Sequence, residues 1–206
     1  GANTLTAHNI ETIDATALTA GHVLTLSGDG TTAIHLDAGD LNASSYSGNL
    51  TVTAATGGST ITAGSGNDYI TASGGNDVLT GGAGSDTFDF SNLTNSLASN
   101  VDMITDFQSG TDHFALGHAV PLVGSATDIE QFSVASGTGD LAADIASVLN
   151  SATHLVVNGV AQVTIATGAD AGTYAVIGDS VAGYNAATDG VVKLATGVTL
   201  HVGDFA

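Results

Sequence analysis

Between Ala63 and Asp89 a bulky apolar residue returns at every ninth position: Ile70, Leu79 and Phe88. Each follows an aspartate by two residues (Asp68, Asp77, Asp86), the spacing that puts both side chains on one side of a short strand. The three segments read AGSGNDYIT, ASGGNDVLT and GGAGSDTFD. They are tandem nonapeptides, and the last matches G-G-x-G-x-D-x-U-x in full, U being bulky and apolar. One such unit cannot bury its apolar face alone, so a fixed short period predicts stacked coils that share a core.

The backbone period extends upstream of the aspartates. Gly21, Gly30, Gly39, Gly48, Gly57, Gly66, Gly75 and Gly84 are spaced nine apart. In the upstream coils the aspartate position holds Val23, Thr32, Leu41, Leu50 and Ser59, and the inward position holds Thr25, Ile34, Ala43, Val52 and Ile61. The pattern predicts an all-β chain: a right-handed parallel β-roll or β-solenoid with calcium-binding turns, followed by a β-rich C-terminal cap with one short helix. Residues 1–62 would form ion-poor coils, 63–90 the ion-binding roll, and 91–206 the C-terminal capping region. A separate β-sandwich over residues 1–55 is the alternative for the first part.

Downstream the period breaks. Ser91–Asn100 reads as a polar loop, and Met103–Phe107 and His113–Leu116 as two short strands around a Gly-containing turn, placed to cap the open end of the solenoid. Pro121–Gly139 carries no clear pattern. Asp140–Asn150 reads as a helix, with Leu141, Ile145, Val148 and Leu149 on one face and Thr138 or Asp140 as N-cap. His154–Val157, Asn158-Gly159 and Val160–Ala166 read as a hairpin, and Thr173–Ile177, Val191–Leu194 and Val198–Val202 as further strands.

Within the nonapeptides, Gly64, Gly66, Ser73, Gly75, Gly82 and Gly84 fall where the chain must turn tightly, and glycine reaches φ > 0 without penalty. Asp68, Asp77 and Asp86 end each turn with a hard oxygen donor suited to a hard cation. Two nonapeptides make one coil of 18 residues, so the loop 63–68 stacks on 81–86 and a cation can sit between Asp68 and Asp86. The opposite edge carries Ala72–Asp77. Its neighbours are Ala54–Ser59 below and Phe90–Asn95 above, neither with an aspartate, so that site should be weaker. Two ions are expected, within a range of one to four. Gly-Asn-Asp is also ordinary turn chemistry, but unpaired carboxylates stacked along an edge repel each other, and a divalent ion relieves that.

Charge narrows the partners. One Lys or Arg stands against 20 Asp and Glu, for a net charge of −19, and Lys193 is that single base. Phosphate contacts need Lys or Arg, so no nucleic acid is expected, and no attraction to anionic lipid. No apolar run approaches the roughly 18 residues of a membrane span, so no membrane insertion is expected. Only 10% of residues are charged while 43% are hydrophobic, which separates the chain from disordered polyanions. With no cysteine, rigidity outside the cell must come from ions or repetition. The N-terminus lacks the basic and apolar regions of a cleavable signal peptide and opens in mid-pattern, so a fragment of a longer chain is expected. The histidines (His8, His22, His35, His113, His118, His154, His201) are scattered, and no His-Glu-x-x-His zinc-protease motif occurs. Non-enzymatic function is the expectation.

The nonapeptides resemble the RTX, or haemolysin-type, repeats of proteins exported by type I secretion. The segment D-x-I-T-D-F-x-x-G-x-D at Asp102–Asp112 is similar to the stretch just after the repeats in many RTX proteins, serralysin-type proteases included. Gly172–Ser180 and Asp189–Leu194 through Asp204-Phe205-Ala206 resemble RTX C-termini, which implies that the capping region 91–206 also carries the type I secretion signal. The scarcity of Lys and the Ala/Thr/Gly/Val-rich upstream coils look most like Gram-negative RTX surface-layer proteins.

The resemblance implies Ca²⁺ held by the second, fourth and sixth positions of each repeat: Gly64, Gly66 and Asp68; Ser73, Gly75 and Asp77; Gly82, Gly84 and Asp86. The departures are Ala63, Ala72 and Ser73, where the family prefers glycine. It further implies a protein that is secreted, extracellular or at the cell surface. Its implied partners are copies of itself in a lattice, the type I secretion machinery and cell-surface polysaccharide. A calcium-stiffened, self-associating surface-layer segment is one reading, and a C-terminal export and folding cassette of a secreted enzyme or adhesin is the other. A Thr-faced ice-binding solenoid is a third, against which the lack of a regular Thr-x-Thr ladder counts.

Overall fold

The computed structural model describes residues 2–8, 12–15, 18–19, 21–36, 38–120, 129–149 and 155–205. Strands alternate between two parallel sheets. One takes β1 (Ala2–His8), β3 (Val23–Asp29), β5 (Asp40–Tyr46), β7 (Thr60–Thr62), β9 (Val78–Thr80) and β11 (Asp102–Ile104). The other takes β2 (Thr12–Asp14), β4 (Thr31–His35), β6 (Asn49–Thr53), β8 (Tyr69–Thr71), β10 (Thr87–Asp89) and β12 (His113–Ala115). Every pairing among these twelve strands is parallel. The upstream coils therefore continue the roll and form no sandwich.

The register shows why the nine-residue pattern folds this way. Ile13, Ile34, Val52, Ile70, Phe88 and Phe114 line up strand over strand in the second sheet. Leu24, Leu41, Ile61, Leu79 and Ile104 do so in the first. The residues of these columns from Ile34 and Leu41 onward are almost fully buried, so side chains stacked coil on coil fill the thin space between the sheets. Upstream, the aspartate position is filled by buried Thr32, Leu41 and Leu50. The first sheet slips there: Leu41, not Ala43, pairs with Ile61, and a bulge interrupts β3 against β5.

The segment expected to cap the roll instead adds one more coil to it. β11 and β12 lie in opposite sheets rather than around a shared turn, and Phe107 and Phe114 enter the core, ring centroids 4.8 Å apart. The first sheet then runs on through β16 (Gly190–Leu194), β15 (Gly172–Ile177), β14 (Val160–Ile165) and β13 (Glu130–Val134), with β15 antiparallel to its neighbours. One face of this extension joins the roll core. The other packs Ala161, Val163, Ile165, Val176 and Val191 against α1 (Leu141–Val148). Asp140 caps that helix, accepting from the Ala143 amide at 3.1 Å. The expected helix end at Asn150 lies outside the described residues.

Two strand expectations are corrected. Asn158-Gly159 makes a turn, Asn158 at φ 56°, but β14 pairs antiparallel with β15, and 155–157 is not a strand; His154 lies outside the described residues. Val198–Val202 is no ladder strand either, because the Gln162 side chain takes its backbone groups, accepting from Leu200 N at 2.8 Å and donating to Val198 O at 3.0 Å.

Candidate metal centre

The turns at one edge of the roll stack so closely that side chains are excluded. A Cβ on Gly66 would lie 2.2 Å from Gly48 O, one on Gly64 2.0 Å from Tyr46 O, and one on Gly82 2.0 Å from Gly64 O. Gly64 and Gly66 are thus required for close approach, while Gly75, Gly82 and Gly84 also carry φ of 103°, 97° and 126°. Ser73, the departure from glycine on the other edge, donates its backbone N–H to Asp77 Oδ2 at 3.1 Å.

The aspartates form two ladders. On one edge Leu50 N donates to Asp68 Oδ1 (2.8 Å), Asp68 N to Asp86 Oδ1 (2.9 Å), and Asp86 N to Asp112 Oδ1 (3.0 Å). On the other, Ser59 N donates to Asp77 Oδ1 (2.7 Å) and Asp77 N to Asp102 Oδ1 (2.8 Å). The second oxygen closes its own turn: Gly64 N reaches Asp68 Oδ2, and Gln108 N reaches Asp112 Oδ2. All five carboxylates are buried.

Asp102 and Asp112 lie outside the three repeats read from the spacing. Leu97–Thr105 and Phe107–Ala115 are two more nonapeptides, with Asn100-x-Asp102-x-Ile104 and Gly110-x-Asp112-x-Phe114 at the fourth, sixth and eighth positions. Seven residues at 90–96 and the single Asp106 displace them from the running phase. The upper neighbour of Asp77 is therefore the loop 97–102, not Phe90–Asn95. Three pairs of carboxylates on successive turns follow, Asp68/Asp86, Asp86/Asp112 and Asp77/Asp102, and the places between their turns are the candidate ion positions. Asp106 adds a carboxylate to the first edge, accepting from Gly81 N and Gly82 N at 3.0 and 2.8 Å.

Burial pushes these carboxyls up, Asp77 and Asp86 to about 6 and Asp102 to about 8, with Asp68, Asp106 and Asp112 adding repulsion at Asp86 and Asp77 at Asp102. Asp68 and Asp112 are raised by the same burial. Asp102 Oδ2 is buried with no hydrogen-bond partner. Lys193 offers them no neutralisation, since it donates to Ala171 O at 3.1 Å over the Tyr174 ring. Among the described residues, no three His, Cys, Asp or Glu side chains converge on one point. A cation here would be held by carboxylate pairs with turn carbonyls, an all-oxygen set that fits a hard ion of flexible coordination such as Ca²⁺.

A search of the curated proteins finds no match. The family model described as peptidase M10 serralysin C terminal matches residues 32–167, more than half of the chain, and takes in both aspartate ladders. The turns, the ladders and the post-repeat coil all lie inside that match, and the chain belongs to the serralysin C-terminal family of β-roll domains, the non-catalytic part of those proteins.

Proposed function

We propose that this chain is the calcium-responsive folding and export module of a protein secreted by a type I system. Membership of the serralysin C-terminal family supports the secreted setting. The observation that carries the calcium reading is the set of three pairs of buried carboxylates on stacked turns, in a chain with one Lys or Arg. Without a cation, desolvation and mutual repulsion oppose closure of the roll. With one, each pair is neutralised where it stands, so ion binding and folding are one reaction. Extracellular calcium modules bind on the order of 10⁻⁴–10⁻³ M, tight enough to fill outside the cell and too weak to fill in the cytosol. The chain would then cross the export machinery unfolded and close afterwards.

The surface-layer reading rests on composition alone, and the family match favours the cassette. Far-ultraviolet circular dichroism with and without chelator tests the coupling, and a β-signal unchanged by calcium removal would overturn it. Negative-stain microscopy in millimolar calcium separates the two roles: ordered sheets support the lattice, and soluble monomers the cassette.

A further inference from the structure

The loop 107–112 is the last of its row. The loops 63–68 and 81–86 below it are each covered by another turn, but among the described residues this one has no further coil above. The 3₁₀ turn Val202–Asp204 and its flanking residues lie there instead. Asp204 is 1% exposed, and its Oδ1 accepts from Gly110 N at 2.8 Å. Its Oδ2 accepts from Ser109 Oγ at 2.7 Å and His201 N at 2.9 Å. The Ser109 hydroxyl also meets His201 Nδ1 at 2.8 Å.

One residue on, Phe205 makes a parallel bridge to Phe114, their rings stacked 5.2 Å apart. Phe205 thus takes the next place in the column Ile13–Ile34–Val52–Ile70–Phe88–Phe114. A segment more than 90 residues away in sequence stands in for the inward face of a missing coil, and holds the backbone of the turn that ends in Asp112.

We propose that His201–Phe205 is the closing piece of the terminal ion-binding turn, so that its docking and cation binding between Asp86 and Asp112 strengthen each other. This rests on the calcium reading above. Gly110 and Ser109 are the residues that Asp204 fixes, and they precede Asp112 in the same turn. A coupling between sites is reciprocal: whatever the docked segment adds to calcium affinity, calcium adds to docking.

The chain has no tryptophan, so Phe205→Trp places a single reporter on the Phe114 ring. During calcium titration its emission should move to shorter wavelength, and iodide quenching should fall, in step with one stage of binding. In the otherwise native chain, Asp204→Ala should weaken one of the calcium stages seen by calorimetry, on the order of 5- to 150-fold, and leave the others in place. A reporter that stays quenchable at saturating calcium, or an Asp204→Ala isotherm that superposes on the parent, would overturn the coupling. If the parent chain itself bound no calcium, the underlying reading would fall first, and the unsubstituted titration identifies that case.

Discussion

Asp77 donates its backbone N–H to Asp102 Oδ1 at 2.8 Å across 25 residues of sequence, and the other oxygen of Asp102 is buried with no partner. That second oxygen has opposite consequences with and without a cation. In the ion-free protein this carboxyl must either stay charged while buried or take up a proton, as its rise to about 8 reflects, and both are costly near neutral pH; Asp102→Asn should therefore raise the urea midpoint in chelator there, a neutral amide carrying neither cost. In calcium the same substitution should lower the midpoint and remove the binding stage of the Asp77 edge. Paired urea melts with and without calcium check this, and a substitution that destabilises under both conditions would place Asp102 outside any ion site.

Asp86 stands between two neighbours, its amide on Asp112 and its carboxylate on the Asp68 amide. It therefore belongs to two of the three pairs, whereas Asp68, Asp77, Asp102 and Asp112 each belong to one. Asp86→Asn should weaken two calcium stages, each by at least the roughly 10- to 100-fold associated with loss of an outer-shell group. Asp68→Asn should weaken one. Isothermal calorimetry counts the stages; equal effects for the two variants would refute the stacking order.

How much of this was legible in the sequence depends on phase. From Ala63 to Asp89 the period is unbroken, and the structure stacks Ile70 on Val52 and Phe88 on Ile70 as spacing requires. Beyond Phe90 a seven-residue insertion and one extra residue shift the phase twice, and Asn100, Phe107 and Gln108 replace turn glycines. The Asp-x-apolar pairs at Asp102-x-Ile104 and Asp112-x-Phe114 were the surviving signal. β13 gave little: among the described residues it is an edge strand, in which only Phe132 and Val134 are partly buried against the helix-side core, an alternation too short to stand out. Asp204 stood out only as part of an RTX-like C-terminus, and its role was not legible because its partners are the Ser109 hydroxyl and backbone amides, which sequence spacing does not encode.

The raised carboxyl pKa values set the pH dependence of the ion-free roll. A carboxyl whose pKa is higher folded than unfolded binds its proton more tightly in the folded state, so it favours folding while protonated. That contribution is complete below the ordinary value of 3.8. It is lost as pH rises through about 6 for Asp77 and Asp86 and about 8 for Asp102. In chelator the urea midpoint should therefore fall between pH 4 and pH 8. Calcium must displace these protons, so binding near pH 6 should release them, measurable by calorimetry in buffers of different ionisation enthalpy. A chelated protein that gains stability over this range would contradict the burial of the ladders.

The glycine column offers a test of the stacked-turn geometry that needs no cation. A Cβ on Gly66 would sit 2.2 Å from Gly48 O and 2.8 Å from Asn49 N, both main-chain atoms of the turn beneath, which cannot rotate away. At Gly57, nine residues earlier in the same series, a Cβ would meet nothing within 4 Å. Neither has a left-handed φ, so the two alanine variants differ in space alone. Forcing the turns apart at Gly66→Ala should cost about 1–3 kcal/mol or more, the range for overpacking. Gly57→Ala should stay within about 0.5 kcal/mol of the parent, as surface changes do. Because the loop of Gly66 also borders the candidate ion position of the Asp68/Asp86 pair, Gly66→Ala should weaken calcium binding as well as stability, and Gly57→Ala should leave both alone. Equal urea midpoints for the two variants would mean that the turns do not stack in contact, and the carboxylate pairs would lose the spacing on which the ion sites depend.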